Sequence, residues 1–346
     1  MKRPSERFSL PVYAGFFAAL VGAMLLCVCV GSVRIPLPDT ATALACALLG
    51  RPIPEGIPGA IILSVRLPRV LCVALVGAAL SLCGAAMQGL LRNPLADGST
   101  LGVSSGASLG AVLAIALDLS VPGVPFAGTM ALAMLFAFFS LLLILSLAYA
   151  LDRSLSTNSI ILIGVIFSMF ASSLISLIIA FAGERVRPIT FWTMGSLASS
   201  SYAYAALLGM ALAVGGALIL RRARELNAFA IGEDNARSIG VSVRRVKLEI
   251  LIAVSALTGV CVAIGGTIGF VGLVVPHMAR MLAGPNHRRL LPAAMAFGGV
   301  FLLLCDLAAR TLLRPVELPI GVVTSLVGAV VFIVIFYRSK KGGTRC

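Results

Sequence analysis

Charge is scarce in this chain. Of its 346 residues only 12% are charged, while 60% are apolar, and the mean hydropathy is +1.07. A soluble domain of this length carries about twice that share of charge to cover its core, so a soluble globular protein is excluded. Histidine is nearly absent, with two residues. The eight cysteines, Cys27, Cys29, Cys46, Cys72, Cys83, Cys261, Cys305 and Cys346, form no CxxC pair and mostly lie in apolar segments. Neither a metal cluster nor a disulfide framework is indicated; cysteine here reads as a small apolar packing residue. No GxxxxGK[ST] loop is present, so any nucleotide energy must enter through another polypeptide. No nucleophile–base pair or paired carboxylates stand out. No catalytic, metal-binding or cofactor-binding residue is therefore assigned.

Long apolar runs fill the chain instead. They lie near 9–31, 59–90, 101–118, 123–150, 157–182, 191–220, 246–267, 269–284, 290–309 and 318–337. About 20 apolar residues span a bilayer as a helix, and backbone groups in lipid need partners within the segment. The runs do not alternate as barrel strands would. The expected fold is all-α and polytopic, with about ten membrane spans in a single domain, 1–346. The third and eighth runs are short and glycine-rich, suited to burial behind other helices. Most lysines and arginines fall in the loops on one side. The positive-inside rule places that side, with both termini, in the cytoplasm. The formal charge of +14 is thus a topology signal and a contact with anionic lipid, not a nucleic-acid signal. The basic N-terminus resembles a secretory signal, but no small-residue cleavage site follows before Pro36, so it is read as the first span.

Several features between and within the runs invite function. The loop 221–247 is longer than a plain helix–helix connector requires. Its spacing predicts a short helix from Ala228 to Ile239, with Asn227 at the N-cap and Gly240 past the end, and Phe229 and Ile231 as exposed apolar teeth. It is either a solvated connector or a docking element for a cytoplasmic partner. Gly102, Gly106 and Gly110 form GxxxGxxxG, a face for close helix packing. Gly164, Ser168, Ser172 and Ser176 recur every four residues, one small polar stripe. The hydroxyls either bond back to their own helix or line a wet passage. Arg66, Arg69 and Arg310 sit at outer ends of spans. They either snorkel or pair locally, as Arg310 does with Asp306 four residues before it, or they offer a basic patch to an acidic partner. Gly77, Gly84 and Arg92 share their spacing with Gly265, Gly272 and Arg280, a faint repeat.

Taken together these segments resemble one family. RLPR from Arg66, LVGAALSLCGAAMQGLLRNPLAD and LGVSSGASLGA are followed by ELNAFAIGEDNARSIGVSV, GGTIGFVGLVVPHMAR, GPNHRRLLPAA, CDLAAR and VELPIGVVTSLVGA. This order resembles the FecCD importer permeases from about residue 60 to the C-terminus. The pattern departs at Gly98, where the family commonly has proline, and at Gly328, Ala329 and Val330, where it often has GAP followed by an aromatic. The resemblance implies an ATP-binding-cassette importer permease in the cell membrane, ten spans, and two copies around a central pathway. It implies two separate ATPases that hydrolyse the ATP, and an external substrate-binding protein. It also implies alternating access for a bulky chelate: ferric siderophore first, then haem or cobalamin. In that scheme Arg66, Arg69 and Arg310 dock the binding protein. Phe229, Ile231, Gly232, Glu233, Ala236, Arg237 and Gly240 couple to the ATPase. The stripe Gly164, Ser168, Ser172 and Ser176 lines the pathway. Two rivals remain. A secondary transporter would need intramembrane carboxylates, for which Asp306 is the only candidate; an intramembrane enzyme would need a catalytic constellation.

Overall fold

The computed structural model describes residues 8–33, 35–54, 56–119, 127–153 and 156–342. All regular structure among them is helical. In order the helices are α1 (Leu10–Cys29), α2 (Leu37–Leu48), α3 (Leu67–Leu91, led in by a π-helical turn over Ile61–Arg66), α4 (Val103–Ala116), α5 (Ala127–Leu151), α6 (Thr157–Phe181) and α7 (Val186–Thr193). They continue with α8 (Tyr202–Arg221), α9 (Ala223–Phe229), α10 (Glu233–Ser238), α11 (Val243–Gly265), α12 (Val271–Ala283), α13 (His287–Thr311) and α14 (Ile320–Gly342). Seven are long and apolar enough to cross a membrane: α1, α3 with its π turn, α5, α6, α8, α11 and α13. The shorter apolar helices α4, α12 and α14 complete the ten expected runs.

Two departures are instructive. Helix α2, with Asp39 in its first turn, was not expected. The expected span 191–220 is divided. Gly195, at φ +75°, breaks the chain after α7, and α8 restarts at Tyr202 with the Ser201 hydroxyl accepting from the Tyr204 N–H. Apolar composition alone runs through this break, because Phe191, Trp192 and Met194 precede it and Leu197 and Ala198 follow Gly195.

Helix α3 is the buried axis of the bundle, with α13, α12, α11 and α8 around it. In lipid, apolar side chains gain little by leaving one apolar surface for another, so close packing of small residues decides which helices meet. Gly77 meets Gly298 of α13, where a Cβ would fall 2.3 Å from the Gly298 carbonyl oxygen. Gly84 meets Gly272 of α12, where a Cβ would fall 1.8 Å from that carbonyl oxygen. Two glycines of the faint repeat therefore face each other. Helix α4 lies on α5 through Gly106 and Gly110, each too close to α5 to admit a Cβ. Gly102, at φ +76°, starts α4. In contrast, α6 shows Leu162, Ile166, Met169, Phe170 and Leu177 to the outside.

Gly84→Ala is expected to destabilise the purified permease by about 1–3 kcal/mol through forced separation of α3 and α12. Gly209→Ala, on α8 with open space around it, should leave thermal unfolding unchanged. Equal melting of the two variants would contradict this packing.

Candidate functional site

Three regions stand out. The first lies at the end of the bundle where α1 finishes and α3 begins. Asp306 of α13 is fully buried and receives two arginines: Arg69 at 2.9 Å and Arg310 at 2.8 Å. Arg69 also pairs with Glu317, in the α13–α14 connection, at 2.7 Å. Arg66 donates to the carbonyls of Val28, at 2.8 Å, Cys29 and Val33. Arg310 donates to those of Cys27 and Val30. The last carbonyls of a helix have no intrahelical donor, and cations are favoured there. Arg66 and Arg310 thus close the C-terminus of α1. These three arginines are only 4, 6 and 3% exposed. The expected exposed basic patch is corrected on this point: each guanidinium is turned inward and held by this chain's own oxygens. Glu317 was missed because nothing in the sequence near VELP marks which arginine it will reach. For Asp306 and Arg310 the intrahelical pairing read from the sequence is present, and burial makes removal of either partner costly.

The second region is at the other end, in the loop 221–247. It folds as two short helices rather than one. Helix α9 ends at Phe229 and α10 begins at Glu233, divided at Gly232 with φ +113°. Gly240, at φ +89°, follows α10 as expected. Phe229 is fully buried, so it is no exposed tooth; Ile231 at 59% and Ile239 at 65% are. Ala236 is buried, whereas Arg237 is exposed beside Asp234. Asn227 does not cap a helix. Its side-chain oxygen accepts the His287 N–H at 2.8 Å, and its amide donates to Asn286 at 2.9 Å, fastening α9 to the start of α13. Glu233 turns inward. Its carboxylate meets the Lys247 ammonium of α11 at 2.7 Å and accepts from the Thr157 hydroxyl of α6. Lys247 has no exposed surface, a placement that its basic surroundings in VRRVKLEI did not announce.

The third region is a cavity of about 340 Å³ inside the bundle. Two irregular segments reach it. Residues 92–102 run inward from the end of α3 until Gly98 touches the Thr258 side chain. Residues 266–270 run inward from the end of α11, and Phe270 takes φ +67°. The first includes a short 3-10 helix, Gly98–Leu101; backbone that leaves the α-helix at membrane depth persists only where protein or a wet cavity satisfies it. Hydroxyls line this one: Ser99, Ser104, Ser105, Ser172, Thr193 and Thr258, with the single carboxylate of Asp97. Of the stripe, Ser172 lines the cavity, whereas Ser168 bonds back to the Gly164 carbonyl and Ser176 to that of Ser172. The back-bonding reading thus applies to Ser168 and Ser176. Serines of α4 and Thr258 of α11 were missed because they form no stripe with α6 until the helices meet.

Among the described residues, seven membrane-length helices and four shorter apolar ones, with a polar-lined cavity in the bundle and a two-helix element at one end, fit a multi-pass membrane transport permease. The FecCD transport family model matches residues 19–338, and the chain belongs to that family. It is 44% identical over 329 residues to the ABC transporter permease YvrB of Bacillus subtilis, covering 94% of this chain and 93% of that one. It is 38% identical over 285 residues to the cobalamin import permease BtuC of Halobacterium salinarum, covering 82% and 75%. A solved ABC transporter assigned to the metal-chelate type, in an inward-facing conformation, superposes with TM-score 0.83 at 32% identity, covering 95% of this chain and 100% of that one. The protein is thus a transport permease subunit of that family, not an enzyme. ATP hydrolysis belongs to a separate ATPase.

Asp306→Asn should leave Arg310 without its carboxylate and Arg69 with Glu317 alone, lowering stability by about 3–5 kcal/mol. Arg51→Ala, at an exposed position, should stay within about 0.5 kcal/mol. Denaturation of the solubilised protein measures both, and near-equal values would deny the cluster its role.

Proposed function

We propose that two copies of this chain form the membrane pathway of an importer, with α6 of each facing the passage. The apolar side chains that α6 leaves uncovered support this reading, as does the cavity opening beside Ser172. The end bearing α9 and α10 faces the cytoplasm with both termini, following the basic residues of that side. There α10 meets the ATPase, and an external binding protein delivers substrate at the other end. Alternating access moves the substrate: closure of the ATPases displaces α10, and the helices redistribute between a pathway open above and one open below. The cargo is a bulky chelate, a ferric siderophore first, haem or a corrinoid next.

One observation carries the assignment of the ATPase contact. Ile231 and Ile239 stand exposed at either side of a six-residue helix, while the rest of the element is anchored through Phe229, Asn227 and Glu233. Such an element presents apolar surface on a rigid mount. Ile231→Asp with Ile239→Asp should leave the permease folded but abolish co-purification of its ATPase. Undiminished co-purification and ATP-driven uptake would reject the assignment.

The pathway has its own test. In a cysteine-free background, Ser172→Cys should react with water-soluble thiol reagents, and nucleotide trapping of the ATPases should change the rate. Ile163→Cys, buried on the same helix, should stay inert. Equal reactivity at both would show that α6 does not border a wet passage.

A further inference from the structure

We infer that Glu233 is a transmission latch: through one carboxylate it ties α10 to both α11 and α6, so that displacement of α10 must carry the two helices that border the hydroxyl-lined cavity. The inference rests on the reading of α10 as the ATPase contact, and assigns Glu233 a role inside the permease rather than at that contact.

The geometry is specific. Glu233 opens α10, and its two carboxylate oxygens lie 2.7 and 2.8 Å from the Lys247 nitrogen. The Lys247 side chain has no exposed surface, and that of Glu233 is 26% exposed. A buried ammonium is held in place by its carboxylate, because separating the two exposes an uncompensated charge to an apolar surrounding. Lys247 lies in the second turn of α11, whose later residues Thr258 and Val262 line the cavity. The same carboxylate accepts from Thr157 at 3.3 Å. Thr157 is the first residue of α6, 76 positions away in the chain, and α6 supplies Ser172 to the cavity. A carboxylate beside the first turn of α6 is also favoured by that helix's dipole.

The covalent path explains only half of this linkage. Residues 239–242 join α10 to α11 directly, so that α11 follows α10 in any case. Helix α6 has no such tether. The Thr157–Glu233 bond supplies a side-chain link from α10 to α6, and Lys247 fixes the carboxylate that accepts it. Glu233 also stands apart from the exposed surface of the element. Ile231, Ile239 and Arg237 face outward, whereas Glu233 and Ala236 face the bundle. Loss of the latch should therefore separate two properties that a contact residue would lose together: binding of the ATPase, and conversion of its cycle into transport.

The test uses the full permease reconstituted with its ATPase and binding protein in proteoliposomes, with ATP hydrolysis and uptake measured on the same vesicles. Thr157→Val keeps volume and removes only the bond to α6. Glu233→Gln removes the charge that holds Lys247. Both should retain stoichiometric ATPase and continued hydrolysis, while uptake per ATP falls about tenfold for Glu233→Gln, within the usual range of coupling between sites, and less for Thr157→Val. The exchange Glu233→Lys with Lys247→Glu should recover part of the loss relative to Glu233→Lys alone. Unchanged uptake per ATP in both single variants would overturn the latch. So would loss of ATPase binding in both, since Glu233 would then be part of the contact itself. Failure of the wild-type chain to bind any ATPase would instead overturn the reading of α10.

Discussion

A hydrocarbon surrounding offers no partner to a charge and none to an open carbonyl, and the junction of α1, α3 and α13 answers both needs with one cluster. Asp306 and Glu317 together balance the charges of Arg69 and Arg310. Arg310 and Arg66 then spend their remaining donors on the carbonyls that end α1. Each group is satisfied by another that would itself be costly alone. The position of α1 and the start of the buried axis α3 follow from this cluster, as does the fixed end from which the rest of the bundle extends. Glu317 joins it from the connection before α14, so that the last span is registered against the same point.

From that fixed end the helices approach through glycine. Gly77 on Gly298 and Gly84 on Gly272 bring α13 and α12 onto α3 at backbone contact, and Gly106 and Gly110 do the same for α4 on α5. Close approach leaves little room for side chains between those pairs. The polar volume is displaced to where the backbone is irregular, between residues 92–102, residues 266–270 and α6. The cavity bordered by α6 thus lies against helices packed on α3. The element at the other end, α9 and α10, is mounted on those helices by Asn227 and on the α6 side by Glu233.

Much of this was open to reading from the chain. Apolar length announced the spans, because a bilayer has one thickness and a helix one rise per residue. The glycine spacings announced close faces, and the length of 221–247 announced a structured element. What each feature touches was less legible. Phe229 and Ile231 look alike in the sequence, yet one is buried and the other exposed, since α9 ends at Phe229 and Ile231 stands in the turn that follows. Arg66, Arg69 and Arg310 look like outward charges near span ends. The inward turn of Arg69 depends on Asp306 and Glu317, more than 230 positions away, and that of Arg66 on the carbonyls that end α1.

The sequence by itself determined class, number of spans and family, properties carried by composition, period and motif order, all of which are local. Only the tertiary structure decided partnership. Whether an arginine meets a carboxylate or water, whether a serine bonds its own helix or faces a cavity, and whether Lys247 is buried are set by which helix lies opposite. That choice is made by steric fit between small residues far apart in the chain, and by pairing of charges that lipid cannot solvate.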